Sequence, residues 1–260
     1  MNDDIKNILS EFQAITLGEM DGVKLMNRVD TKFIINSSRL PFLLQAAASR
    51  YFVLEIDGQR QTPYSTIYFD TDDLIMYTMH HNGKKDRFKV RMRVYENSGQ
   101  SFLEVKRKNN KGRTNKKRIE IQKEQFNEME FKEDNLDFML QRVPYSPESL
   151  KPVLQNFFQR ITLVDKNLTE RITIDIGLKF RNVETDSMAP MDELIIIEIK
   201  QDGALKSVFR TFLEQMHVFP GSMSKYCLGM VMVKPGIKYN RFKNKIRKIN
   251  KITKAEYVTN

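Results

Sequence analysis

The chain has 260 residues, 40% of them hydrophobic, enough to build a sizeable core as one large domain or two small ones. Its longest apolar runs, such as residues 194–197, are far too short to cross a bilayer, and the acidic start Met1-Asn2-Asp3-Asp4 lacks the basic and apolar regions of a secretory signal. The single cysteine, Cys227, precludes an intrachain disulfide and points to a reducing, cytoplasmic setting, while a net charge of +10 points to an acidic partner.

In chain order, Ile5, Ile8, Leu9 and Phe12 recur at helical spacing over residues 2–17, and a turn is expected near Gly18 and Gly22. A strand follows over 28–35, then a helix opened by Ser37 or Ser38 with Pro41 in its first turn, ending before Tyr51. Residues 64–69 read as a strand, and Thr71-Asp72-Asp73 opens a short helix to about His80. Three consecutive strands over 87–95, 101–108 and 113–122 are joined through Asn97-Ser98-Gly99 and residues 109–112, which makes a β-meander. Helical spacing returns over 123–140 through Phe126, Met129, Phe138 and Leu140, after which Pro144, Pro147 and Pro152 mark an irregular crossover. Further strands are expected over 153–163, 170–176, 178–182 and 194–200, a helix over about 205–216, and a last strand or helix over 225–233. Elements of this kind, without a regular βαβ rhythm, predict an α+β protein built on one antiparallel sheet or barrel, with residues 1–233 as one domain.

Residues 234–260 form a basic tail with nine Lys and Arg against Glu256 alone, so most of the net charge sits there. The tail reads as a solvated basic helix. An anionic membrane surface or nucleic acid is its candidate partner, with Tyr239 and Phe242 as stacking or wedging groups.

Within the predicted strands, cations fall at every second residue: Lys89-Val90-Arg91-Met92-Arg93, Glu104-Val105-Lys106-Arg107-Lys108, Lys116-Lys117-Arg118-Ile119-Glu120 and Glu198-Ile199-Lys200. Neighbouring strand residues point to opposite faces, so the charges go one way and Phe88, Val90, Met92 and Val94 the other. A charged sheet face in water is the commonest meaning of such a pattern. Here, however, Arg and Lys recur in register across segments far apart in sequence. If the sheet closed, like charges about 6 Å apart would repel by roughly 3 kcal/mol at an effective dielectric near 20, a cost that a polyanion or interleaved carboxylates would offset. Asp30, Asp70, Glu104, Glu120, Asp175 and Glu198 are the carboxylates at hand.

Other chemistries lack their residues. There is no Gly-x-x-x-x-Gly-Lys-[Ser/Thr], no Gly-x-Gly-x-x-Gly and no nucleophile elbow. His80, His81 and His217 lack the spacing of a zinc site, and Cys227, between Tyr226 and Leu228, reads as a buried structural thiol. Arg and Lys neutralise phosphate oxygens, Arg in bidentate fashion, and carboxylates hold Mg²⁺ or Mn²⁺ shared with those phosphates. Phosphoryl transfer needs mainly these two things, because positioning and charge stabilisation supply most of its catalysis.

Nine segments in order carry a resemblance: Arg28-Val29-Asp30-Thr31-Lys32-Phe33, Thr66-Ile67-Tyr68-Phe69-Asp70-Thr71, Lys89 through Tyr95, Phe102-Leu103-Glu104-Val105-Lys106, Lys116-Lys117-Arg118, Phe158-Gln159-Arg160, Arg171-Ile172-Thr173-Ile174-Asp175, Ile197-Glu198-Ile199-Lys200 and Ser224-Lys225-Tyr226. Together the chain resembles the vacuolar transporter chaperone (VTC) polyphosphate polymerase domain, one of the triphosphate tunnel metalloenzymes. The resemblance implies a closed antiparallel β-barrel of about eight strands, a basic tunnel with peripheral helices. It implies that Lys32, Arg91, Arg93, Lys106, Lys116, Arg118, Arg160, Arg171, Lys200 and Lys225 bind ATP and polyphosphate. Arg91, Arg93, Lys200 and Glu198 would be catalytic, and Glu198 would also hold Mn²⁺ or Mg²⁺. In that reaction the γ-phosphoryl of ATP passes to the end of a polyphosphate chain. The wider superfamily begins its first strand with Glu-x-Glu-x-Lys, where this chain has Arg28-Val29-Asp30-Thr31-Lys32, which bears on a second metal position. Two other readings share the same wall: a triphosphate or nucleoside triphosphate hydrolase, with water as acceptor, and a polyanion-binding module without turnover.

Overall fold

A computed structural model describes residues 2–20, 28–203, 206–221 and 223–257. Gly22 and Leu205, where a turn and a helix start were expected, lie outside the described residues. In chain order the elements are α1 (Asn2–Ser10), β1 (Gln13–Ile15), α2 (Leu17–Met20), β2 (Arg28–Asn36), α3 (Leu40–Ala47), β3 (Tyr51–Leu54), β4 (Thr62–Asp70) and α4 (Ile75–His81). Then come β5 (Arg87–Tyr95), β6 (Ser101–Lys108), β7 (Thr114–Ile121), α5 (Lys123–Glu128), α6 (Glu133–Leu140), β8 (Lys151–Asp165), β9 (Glu170–Asn182), β10 (Met188–Met191) and β11 (Leu194–Asp202). Helices α7 (Val208–Gln215), α8 (Lys225–Val233) and α9 (Lys243–Thr253) complete the described chain. No helix among the described residues is long and apolar enough to cross a membrane.

The fold is α+β around one large sheet. Its main path runs β2-β11-β9-β8-β4-β5-β6-β7 through antiparallel ladders, with β1, β3 and β10 at the margins. The expected closed barrel is not found, because among the described residues no ladder joins β2 to β7. Residues 114–118 of β7 are exposed throughout, so sealing the seam would bury little apolar surface and would press Lys116 and Arg118 toward the cations of β2. The sheet is curled nonetheless. Ser224 and Lys225, adjacent in the chain, contact Lys89 on β5 and Asp175 on β9, three steps apart along the strand path, which draws those strands toward each other.

Three apolar layers hold the curl. On the convex side, Phe33, Ile35, Ile172, Ile174, Ile195, Ile197 and Ile199 pack under Ile5 and Leu9 of α1, Leu43 and Leu44 of α3, and Phe209 and Leu213 of α7. Farther along the same side, Val90, Met92, Val94, Leu103 and Val105 pack under Phe126, Phe138 and Met139 of α5 and α6. The stretch expected as one helix splits there, because Met129 takes a left-handed conformation at φ +59° that ends α5. The third layer lies on the concave side, where α8 and α9 cover Ile34, Ile196, Leu154, Leu178 and Phe180. Helix α8 sits so close that a Cβ on Gly229 would fall 2.5 Å from Phe180 Cδ1 and 2.6 Å from Leu154 Cδ2, which makes glycine a requirement there.

Strand β9 is continuous where two strands were expected. Gly177, at φ +59°, adds one residue opposite Phe158, and the register with β8 shifts there. The extra residue reverses the alternation. Before it, Ile172, Ile174 and Ile176 face the convex core; after it, Leu178 and Phe180 face the concave one. The basic tail also differs from the expected solvated helix. Phe242, Ile246 and Ile249 are buried in the concave layer, so this side of α9 is part of the core.

Candidate functional site

Strand register alone gathers the site. Across the ladders Asp30 stands opposite Lys200, which stands opposite Arg171, and Lys32 opposite Glu198, which stands opposite Thr173. Arg160 stands opposite Asp175, Phe158 opposite Tyr64, and Asn156 opposite Thr66, whose other neighbour is Arg93. Tyr68, Arg91, Glu104 and Arg118 form another row, and Lys89, Lys106 and Lys116 the next. Residues paired across a ladder share a face. Lys32, Arg91, Arg93, Lys106, Lys116, Arg118, Arg160, Arg171 and Lys200 therefore all belong to the concave side. Lys225 reaches the same space from the first turn of α8.

The cations are interleaved with three carboxylate centres. Glu104, 1% exposed, accepts from Arg91 Nε and Nη2, both at 2.6 Å, and pairs with Lys116. Burial works to raise its pKa, but the charges of Arg91, Arg93 and Lys116 win and hold it well below the ordinary carboxylate range. Asp175 accepts a bidentate pair from Arg160, at 2.6 and 2.8 Å, and a further contact from Lys225. Its carboxyl is likewise opposed by burial yet held far down by Arg160 and Lys225. Glu198 lies between Lys32 and Lys200, and Lys200 Nζ also donates to Thr173 Oγ1 at 3.3 Å.

Cations outnumber these acids, and the lysines register the excess. Burial first, then neighbouring positive charge, pulls Lys32, Lys200 and Lys225 down to about 7, through Lys200 and Lys106 for Lys32, Arg160 and Arg171 for Lys200, and Arg160 and Arg93 for Lys225, against the partial compensation of Asp30 and Asp175. Lys89 and Lys116 fall to about 8, chiefly through burial. Such values mark ammonium groups that burial strips of water and that the neighbouring carboxylates only partly compensate.

Aromatic faces set the positions of several cations. Tyr64 and Phe158 stack with centroids 5.1 Å apart. The Arg93 and Arg160 guanidinium carbons lie 5.6 and 5.1 Å from the Tyr64 ring centre, and Lys225 Nζ lies 3.3 Å from that of Phe158. Arg93 Nε donates to Thr66 Oγ1 at 3.1 Å. The start of α8 is anchored from two sides. Ser224 caps it and accepts from Lys89 Nζ at 2.7 Å, while the Tyr226 hydroxyl donates to Asp70, whose carboxylate also accepts the amide N–H groups of Thr71, Met76 and Tyr77. Asp70 is thus a positioning group, buried beneath the helix that aims Lys225.

Sequence reasoning left out four contributors. Lys89 shares the parity of Arg91 and Arg93, so the alternation already contained it. Tyr64 and Phe158 each sit two residues from a polar residue of the same face, Thr66 and Arg160, in predicted strands, a signal visible only once the strands are paired. Asn156 gave no signal, yet it is fully buried and neither amide atom has a hydrogen-bond partner among the described residues. An amide in that state beside Arg93 and Thr66 is open to a ligand oxygen. Cys227 is buried as expected, and burial pushes its thiol up. The stacking role assigned to Phe242 is not available, since the ring is buried against Tyr77, His80 and His81.

For a metal, the donor set is thin. No group of three or more His, Cys, Asp or Glu side chains assembles among the described residues, and Glu198 is committed to two ammonium groups. The described residues alone do not form a metal cage. One carboxylate is compatible with Mg²⁺ or Mn²⁺ when phosphate oxygens and water complete the shell.

Residues 27–234 match the family model of the VTC domain. A candidate adenylate cyclase of Bacillus halodurans shares the fold, with a TM-score of 0.52 at 12% identity over 77% of this chain and 96% of the other. Weaker likenesses include a candidate adenylyl cyclase of Hippeastrum with a dominant triphosphatase activity, at TM-score 0.46, 12% identity, and 77% and 94% coverage. A protein of Pyrococcus horikoshii gives TM-score 0.41, 14% identity, and 78% and 97% coverage. No protein of curated function matches the chain significantly.

Proposed function

The chain belongs to the VTC domain family, and from that premise we propose that it is a polyphosphate polymerase, passing the γ-phosphoryl of ATP to the end of a polyphosphate chain held on the concave face. One observation carries the reading: a single sheet face that spans eight paired strands and gathers cations in excess of carboxylates, with buried lysines brought to about 7. A structural face has no use for that excess. A ligand with several phosphates supplies the missing negative charge, and each carboxylate now paired to Arg or Lys marks where a phosphate oxygen can compete.

In this reading Arg91, Arg93 and Arg160 grip the transferring phosphoryl group, their planar forks matching its oxygens. Lys225, Lys89 and Lys116 hold the adjoining phosphates, and Lys32 and Lys200 neutralise charge at the β2 margin. The attacking group is an oxygen of the chain end, so no side-chain nucleophile is needed. A Mg²⁺ or Mn²⁺ ion would take Glu198 as its protein oxygen and would add neutralising charge on the triphosphate. Contact between the β2 and β7 margins would turn the curled sheet into a tunnel around that ligand.

The test is incubation with ATP and Mn²⁺ followed by separation of products by size. Phosphate chains that lengthen with time, with ADP released in step, are the expected result. Orthophosphate without chains overturns the polymerase in favour of a hydrolase, and unchanged ATP overturns turnover altogether.

A further inference from the structure

Helix α9 carries a second basic surface. Its inner side is buried through Phe242, Ile246, Ile249 and Thr253, and its outer side exposes Lys243, Lys245, Arg247, Lys248, Lys251 and Lys254. Between Lys234 and Glu256 the chain has no acidic residue, and among the described residues no ion pair reaches these six. Lys245 and Lys248, Arg247 and Lys251, and Lys248 and Lys251 are like-charged pairs at i,i+3 or i,i+4. Each such pair works against the helix. The docked apolar side holds the helix in place against that repulsion.

The surface begins where the concave cations end. Arg241, just before α9, donates from Nη1 to the Asn82 carbonyl at 2.7 Å, beside the end of α4. There His80 is pushed down to about 3 by burial and by the charges of Lys89, Arg87, Lys245 and Lys108, so the concave row and α9 act on one imidazole. Toward the other margin, Lys248 Nζ comes within 3.1 Å of where a Cβ on Gly221 would lie, and the Gly221 N–H donates to the Lys32 carbonyl at 2.9 Å. Cations of α9 and its approach therefore come near the end of α4 on one side and Gly221, whose amide is bonded to the β2 backbone, on the other.

We propose that the outer face of α9 is a second polyanion site, which holds the stretch of a polyphosphate chain that extends beyond the concave face. The inference rests on the concave site binding phosphate, as above. Recognition is by charge alone. Helix α9 itself carries no aromatic residue, Phe242 before it is buried and Tyr239 lies half-buried near Lys243, so the helix offers no exposed ring for base stacking, and the apolar side that would enter a bilayer is spent on the core.

The experiment uses the full chain and a triple variant, Lys245→Gln with Lys248→Gln and Lys251→Gln, at exposed positions. Titration calorimetry at several salt concentrations compares tripolyphosphate with long-chain polyphosphate. We expect tripolyphosphate affinity to hold within about twofold, while long-chain affinity falls by about tenfold or more with a shallower salt dependence. Unchanged long-chain affinity, or equal weakening of both ligands, overturns the outer site. A wild-type protein that binds no tripolyphosphate, while its long-chain binding is still lost in the variant, refutes the concave site and leaves the outer one standing. Tighter wild-type binding of single-stranded RNA or phosphatidylserine vesicles, lost in the variant, overturns the choice of partner.

Discussion

Replacing Asp175 by Asn removes the charge that Arg160 and Lys225 share and keeps the size of the side chain. The three side chains are 7%, 18% and 13% exposed, so the variant strands the desolvated Arg160 guanidinium and makes the Lys225 ammonium harder still to keep charged. Breaking a buried pair from one side costs about 3–5 kcal/mol. Residual solvent contact of the two cations lowers the expectation to about 2–4 kcal/mol, because partly exposed pairs are screened. In a chain of this size that is a fall of roughly 4–16 °C in Tm. If Arg160 and Lys225 face phosphate, tripolyphosphate replaces the missing charge. At a hundred times Kd it adds about 2.7 kcal/mol to any protein that binds it, and the variant should bind it more tightly than wild type. Thermal unfolding by fluorimetry, with and without tripolyphosphate, reads both effects. Melting within about 1 °C of wild type would refute the buried-pair reasoning. A destabilised variant that gains no more from tripolyphosphate than wild type does would remove these cations from the phosphate site.

Arg93→Ala deletes a buried guanidinium at the centre of the face and should weaken tripolyphosphate binding by about 1.5–3 kcal/mol, the range for charge-assisted contacts; an unchanged Kd in calorimetry would place Arg93 outside the site. Lys32, Lys200 and Lys225 near 7 stand below their usual 10.5. Between those values the unfolded chain holds more protons than the folded one, so the ligand-free protein should gain stability as pH rises from about 7 toward 10. Phosphate favours the charged lysines, so binding at pH 8 should take up protons and weaken as pH climbs; calorimetry in buffers of different ionisation enthalpy measures the uptake, and none at pH 8 contradicts the lysine assignment. Gly229→Ala forces a methyl against Phe180 and Leu154 and should cost about 1–3 kcal/mol through overpacking. A Tm equal to wild type would show that α8 can retreat from the sheet.

The alternation in 87–95 was enough to divide Phe88, Val90, Met92 and Val94 from Lys89, Arg91 and Arg93, because a two-residue period is a local property of the chain. Pairing is not local. That Glu104 serves Arg91 and Lys116, or that Asp175 serves Arg160 and Lys225, follows from register, which the hydropathy pattern does not specify across distant segments. Strands β1, β3 and β10, at three or four residues, are too short to show a period. The tail misled for a different reason. Phe242, Ile246 and Ile249 do form an apolar stripe at helical spacing, but the density of charge around it read as solvation. Lys225 was placed among the binding residues by resemblance, whereas its geometry depends on Ser224 and Tyr226 fixing the start of a helix.

Gly177 ties the phase of the chain's hydropathy to its length. Upstream, odd-numbered positions of β9 carry the polar groups that look inward; downstream, odd-numbered Lys179 and Arg181 look outward while the even ones meet α8. An ordinary alternating position at Gly177, with no bulge, would drive two cations into the greasy seat of a helix and push Leu178 and Phe180 into water. Any chain that builds this strand without the bulge must therefore either be one residue shorter here or exchange its oily and charged positions from that point on.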